Sequence, residues 1–417
     1  MPHARAFALG VTAVAALVSP LTAHAQEAGE DPLLQRALRL HREAPLIDGH
    51  NDLPWEIRQK AAGDLERMDI RGALPEQHTD IPRLRAGGVG GVFWAAYVPV
   101  TLIGNGAARF AFDQIDLIRR ITEHSPVLEL ARTADDVERI HREGKIASLI
   151  GVEGGHAIEN SLEILRRFHE LGVRYLTLTH ANTLDWADAA TDSALHGGLS
   201  PFGEEVVREM NRLGMLVDLS HVSPGTMQDA LRVSEAPVIF SHSSARALAD
   251  HARNVPDDVL RLLPANGGVV MVNFYSGFTE RKAAELSRDM FDVQRRFRTE
   301  NPGNEAAADS GYAGWRRANP LPRGTVGTLA DHVDHIVRVA GIDHVGLGSD
   351  YDGITVLPEG MEDVSRFPWL TAELLRRGYS DVEVKQILGG NILRAMRRAE
   401  EVAMRLRGEA GGVQGVD

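Results

Sequence analysis

Six short segments of this chain carry side chains that bind metals or move protons. They are Asp48-Gly49-His50-Asn51-Asp52, Ile150-Gly151-Val152-Glu153, Thr177-Leu178-Thr179-His180, Asp218-Leu219-Ser220-His221, Phe240-Ser241-His242 and Gly348-Ser349-Asp350. Imidazole and carboxylate together form a borderline-to-hard donor set, suited to Zn2+ and tolerant of Mn, Co, Ni or Fe. The chain has no cysteine, which removes thiolate sites, disulfides and thiol nucleophiles and leaves His, Asp and Glu as ligands. Converging carboxylates would raise one another's pKa unless a cation sat between them, and a carboxylate bridging two ions about 3.5 to 4 Å apart lets both act on one water. Glu153 suits the bridge. His50 and Asp52, on one side of the chain at period two, suit one ion, and His221 and His242 the other. His180 and Asp350 are then left for catalysis.

Each segment closes an apolar, often β-branched run bounded by turn residues. Eight such runs occur, at 46–50, 89–98, 146–152, 175–179, 215–219, 238–241, 269–274 and 345–349. Several are apolar throughout, as parallel strands covered on both faces are. Amphipathic stretches at 161–171, 201–213, 223–233 and 329–339 lie between them. Eight strands alternating with helices predict a (β/α)8 TIM barrel, whose active sites form at the carboxyl ends of the strands. A doubly wound nucleotide-binding sheet lacks its signal, since no GxGxxG opens a helix after the first strand. Residues 99–145 have room for two helices. Residues 275–328 form a long, partly helical insertion before the last strand. It comprises a charged helical stretch at 280–297, then 301–325, rich in Gly, Pro, Asn and Ala, and it is read as a candidate lid. A closing helix is expected from about 381 to 406.

The motifs His50-Asn51-Asp52-Leu53-Pro54, Gly151-Val152-Glu153-Gly154, Leu178-Thr179-His180, Asp218-Leu219-Ser220-His221, Ser241-His242-Ser243, Arg253-Asn254-Val255-Pro256-Asp257 and Gly348-Ser349-Asp350-Tyr351-Asp352-Gly353 stand in that order. In this they resemble the membrane dipeptidase (renal dipeptidase) family of metallopeptidases, within the amidohydrolase superfamily, from about residue 33 to 400. The resemblance implies a barrel with two Zn2+ ions that hydrolyses dipeptides by a hydroxide bridging the metals, with the ligand split given above. It also implies that His180 contacts the carbonyl side of the scissile bond, Asp350 handles the proton and Arg253 holds the free carboxylate of the substrate. The reach from the scissile bond to Arg253 would then set a preference for dipeptides. Two other readings stay open: a metal-dependent amidase or lactamase on the same fold, and a non-catalytic periplasmic barrel that binds a metal or ligand.

The other chemistry-bearing residues read as structural. His332 and His335 share a helix face before the last strand, and His156 follows Glu153 by three. Asp48 and Asp218, buried by pattern, are expected to orient histidines. Arg5, the apolar run 6–21 and Ala23-His24-Ala25 predict a signal peptide over residues 1–25. Residues 26–417 would then be a single metallohydrolase domain, periplasmic or secreted, with no stable membrane anchor. The balance of 45 Lys+Arg against 58 Asp+Glu speaks against nucleic-acid binding. Without cysteine, a homodimer would be noncovalent.

Overall fold

The computed structural model describes residues 31–412, so the expected signal peptide lies outside the described residues. Among these, nine parallel strands form one sheet: β1 (Leu46–Asn51), β2 (Val89–Tyr97), β3 (Leu128–Leu130), β4 (Ile146–Glu153), β5 (Val173–Thr177), β6 (Leu216–Asp218), β7 (Ile239–Phe240), β8 (Val269–Val272) and β9 (Val345–Leu347). Pairing of β1 with β9 and of β2 with β4 closes eight of them into the expected barrel. The ninth, β3, pairs with the first half of β4, from Ile146 to Ser148, while β5 takes the second half from Ile150 onward. It lies between the helices Ala107–Glu123 and Ala134–Arg142, the two for which residues 99–145 had room.

Side chains alternate along the strands as period two requires. Ile47, Phe93, Leu149, Leu216, Val269 and Met271 share the interior apolar cluster, where Ile392 and Met396 of the C-terminal helix join them. Leu46, Val92, Ile150, Val217, Val270 and Val272 face the surrounding helices. Continuing the interior rows by two residues turns them polar: Gly151 to Glu153, Leu216 to Asp218, Met271 to Asn273. The barrel's carboxyl face is therefore ionisable because the same inward register outlasts the apolar residues.

Several strands are shorter than their apolar runs. Two buried aspartates take the backbone donors that would have extended the ladders. Asp218 Oδ1 accepts from Ser220 N at 3.1 Å and Ser241 N at 2.8 Å, and Asp48 Oδ1 accepts from Ser349 N at 2.7 Å. Freed from the sheet, the following residues turn sharply. His221 and Asp350 both lie in the left-handed region, at φ 70° and 65°, a conformation that costs a non-glycine residue and clusters at functional sites.

The insertion after β8 is more helical than its composition suggests. After the short turn Ser276–Thr279, helix Arg281–Glu300 is followed by a second helix, Glu305–Ala318, inside the stretch expected to be a loop. Asn304 caps it by accepting from Ala307 N, and an alanine run follows. Gly311, which reads as a breaker, packs against helix Arg281–Glu300: a Cβ there would lie 2.6 Å from the Phe297 ring. The closing helix is interrupted too, running as Asp381–Lys385, a π turn over Gln386–Gly390, and Asn391–Gly412. Among the described residues no helix is long and apolar enough to cross a membrane.

Candidate active site

The strand-end residues come together around Glu153, the last residue of β4. Its Oε1 lies 3.0 Å from His221 Nε2, 3.5 Å from His242 Nε2 and 3.8 Å from His180 Nε2, and its Oε2 lies 3.6 Å from His50 Nε2. His50 Nε2 is 3.2 Å from Asp52 Oδ2, and the Nε2 atoms of His221 and His242 are 3.0 Å apart. Three overlapping donor sets result: His50–Asp52–Asp350, His50–Glu153–His242 and Glu153–His180–His221. Asp350 and His180, set aside for catalysis on sequence grounds, thus also stand within ligand distance of the others.

The donors fit divalent cations better than they fit one another. His50 is fully buried, yet its Nε2 has no hydrogen-bond partner. Burial pushes the carboxyls of Glu153 and Asp350 up, with Asp52 adding repulsion to each and His50 pulling the other way. Burial would lower the His50 imidazole, but Asp52 and Glu153 overcome it and raise it. His221 and His242 are driven well below the ordinary range, first by burial and then by Arg253 and the neighbouring imidazoles. His221 and His242 thus stand in the neutral form that binds a divalent ion, and such an ion would displace the protons that His50 and the crowded carboxyls hold without it. Gly353 completes the crowding, since a Cβ there would lie 2.3 Å from Asp52 Oδ2 and 2.6 Å from Asp350 Oδ1.

Behind the donors, His242 Nδ1 lies 2.8 Å from Ser241 Oγ, which donates to Asp218 Oδ2 at 2.7 Å. Asp218 therefore reaches a histidine ring through a hydroxyl. Asp48 does not: its carboxylate holds Ser349, by N and Oγ, and approaches only the backbone N of His50 at 3.5 Å. It anchors the β9 turn that carries Asp350.

A cavity of about 370 Å3 opens over these groups. Arg253 enters it from the loop after β7, 4% exposed, with its Nη1 unpartnered and its Cζ 5.3 Å from the Phe278 ring centre. Burial lowers the guanidinium to about 10, against the pull of Asp350 and Glu153. Asp257, a possible surface partner for it, instead engages His335 at 2.7 Å. His180 is lowered to about 3, by burial and then by Arg253, so its ring is neutral and carries one N–H. Asp350 accepts from Asn273 Nδ2 at 2.8 Å.

With the geometry in view, comparison with known proteins is decisive. Residues 34–410 match the family model described as membrane dipeptidase (peptidase family M19). The chain belongs to this family. It is 43% identical to dipeptidase 3 of Mus musculus over 386 residues, covering 91% of this chain and 70% of that protein. It is 42% identical to dipeptidase verJ of Clonostachys rogersoniana over 389 residues, 90% of each. Among solved structures, the probable dipeptidase PvdM from Pseudomonas aeruginosa superposes with a TM-score of 0.77 at 25% identity, over 89% of this chain and 99% of that one. Membership of this metallopeptidase family makes the chain a metal-dependent peptide hydrolase and confirms the barrel.

The cavity also has walls that no ionisable pattern marks in the sequence: Trp55, Tyr97, Tyr275, Phe278 and Ile354 line it. Tyr275 and Phe278 come from the first turn of the insertion, and no residue of its two long helices lines the cavity among those described. The lid reading thus shrinks to that turn. His332 bonds Ala245 N and Thr279 O, and His156 bonds Val98 O, as structural histidines do.

Proposed function

We propose that this member of the dipeptidase family is an exported dipeptidase that works with two zinc ions. His50 and Asp52 would hold one ion, His221 and His242 the other, and Glu153 would span both. The observation that carries this is four imidazole Nε2 atoms within 3.8 Å of one buried carboxylate, with a buried guanidinium whose Nη1 is unpartnered across the same cavity. When bound, such ions would polarise a carbonyl and lower the pKa of a bound water toward neutrality.

The chain's own residues supply the rest. Arg253 receives the substrate's terminal carboxylate with a planar fork that has a free donor, and so fixes the scissile bond at one distance from the ligand cluster. A longer peptide would place its carboxylate elsewhere. His180, neutral and on the cavity wall, donates its N–H toward the oxygen of the scissile carbonyl as charge develops there. Asp350, raised by burial and held by Asn273, takes a proton from water and returns it to the leaving amine. The aromatic walls exclude water from the side chains of the substrate.

Metal analysis of the purified protein together with a panel of dipeptides tests this reading. Two tightly bound divalent ions and metal-dependent cleavage are expected, with tripeptides cleaved poorly. Fewer than two ions and no cleavage of any dipeptide would refute it. Residues 26–417 are proposed as one domain, and the exported protein should begin near Gln26 on N-terminal sequencing.

A further inference from the structure

His50 turns the ring nitrogen that faces away from the cavity toward a phenol. Its Nδ1 lies 2.8 Å from the Tyr175 hydroxyl, and both side chains are fully buried. The same hydroxyl donates to Gly49 O at 3.4 Å. With its O–H directed at Gly49 O, the phenol oxygen is placed to accept from His50 Nδ1. An imidazole with its proton on Nδ1 keeps its lone pair on Nε2, the atom that faces Asp52 and Glu153.

The barrel makes room for this contact at one position. Gly151 of β4 stands opposite Tyr175 of β5 in the sheet. A Cβ on Gly151 would lie 2.0 Å from Tyr175 Cζ, inside any van der Waals limit, so only glycine leaves the slot in which the phenol ring lies. The Gly151–Tyr175 pair thus places a weak, neutral acceptor behind one histidine, whereas His242 is backed by Ser241 and a carboxylate.

We infer that Tyr175 is a positioning residue that accepts from His50 Nδ1–H and so holds Nε2 toward the ion shared with Asp52. This rests on the assignment of His50 and Asp52 as ligands. Tyr175→Phe in the full chain removes only the hydroxyl. Zinc is titrated into apoprotein against a chelator buffer, and bound metal is counted after dialysis. One zinc site should weaken about 10- to 100-fold and the other should not change, so at a zinc activity that gives wild type two ions the variant holds one. The melting temperature should fall by only a few degrees because the ring of Phe still fills the slot. A role in packing alone would lower the melting temperature and leave both affinities in place. Two unchanged affinities, or equal weakening of both, in a protein whose wild type binds two ions would overturn the inference alone. A wild type that binds fewer than two ions would overturn the ligand assignment and the inference with it.

Discussion

Replacing Arg253 by Met separates recognition of the substrate's carboxylate from stability. The guanidinium is 4% exposed and has an unpartnered Nη1, so it is a buried charge held in place without a full set of bonds. Methionine keeps the unbranched stem and the contact with Phe278 but removes the charge. Exchanging a buried charge for an apolar group of similar volume is often neutral or stabilising, so the melting temperature should hold or rise. Catalysis should suffer instead. Removing one partner of a buried, hydrogen-bonded charge pair costs about 2 to 5 kcal/mol, and at about 1.4 kcal/mol per decade this is about a 30- to 4,000-fold loss in kcat/KM. The assay compares a dipeptide with its C-terminal carboxamide on wild type and Arg253→Met, by chromatographic detection of the released amino acid. Wild type should strongly prefer the free acid, and the variant should lose that preference while cleaving the carboxamide nearly as well as wild type does. Equal losses on both substrates would show that Arg253 does not read the carboxylate.

Asp350→Asn keeps the shape of the side chain and removes its basicity; kcat should fall about 10^2- to 10^4-fold with two ions still bound by metal analysis. Loss of one ion would instead make Asp350 a ligand, as its proximity to His50 and Asp52 allows. Away from the site, burial lowers the fully buried His41 to about 4, while the unfolded chain titrates near 6.5. The folded state then binds fewer protons below 6.5, so this stabilising contribution is present above that pH and is lost as the pH falls toward 4. Between pH 7 and 5 the loss is roughly 2 kcal/mol at 1.36 kcal/mol per unit. Urea unfolding at both pH values should show a smaller drop for His41→Gln than for wild type, and an identical drop would refute the account.

The site was legible where the chemistry is carried by ionisable residues at the ends of apolar runs, because period two and the barrel's polarity together dictate where such residues gather. Elements held by contacts instead of by pattern were not. β3 is three residues long and exists because half of β4's edge lies uncovered by β5. Helix Glu305–Ala318 is masked by glycines, one of which serves packing against Phe297. The cavity's aromatic walls come from separate parts of the chain, and an isolated Trp or Tyr has no spacing that marks it as lining a cavity and not a core.

Asn273 is the instructive omission. It continues the inward row Val269, Met271 by two residues, as Glu153 continues Leu149, Gly151. Its Nδ2 donates to Asp350 at 2.8 Å, and its Oδ1 accepts from Tyr275 N at 2.6 Å, so one amide joins the proposed proton carrier to the turn that presents Tyr275 to the cavity. The inward register that carries Glu153 holds for Asn273 unchanged. An amide has no charge to mark it in the sequence, yet a carboxylate that must hold a proton at one moment and release it at another needs a neutral donor beside it. In a barrel of this kind the inward position just beyond each strand merits scrutiny whatever its residue type, since the groups that orient a catalytic carboxylate occupy the same geometric row as the carboxylate itself.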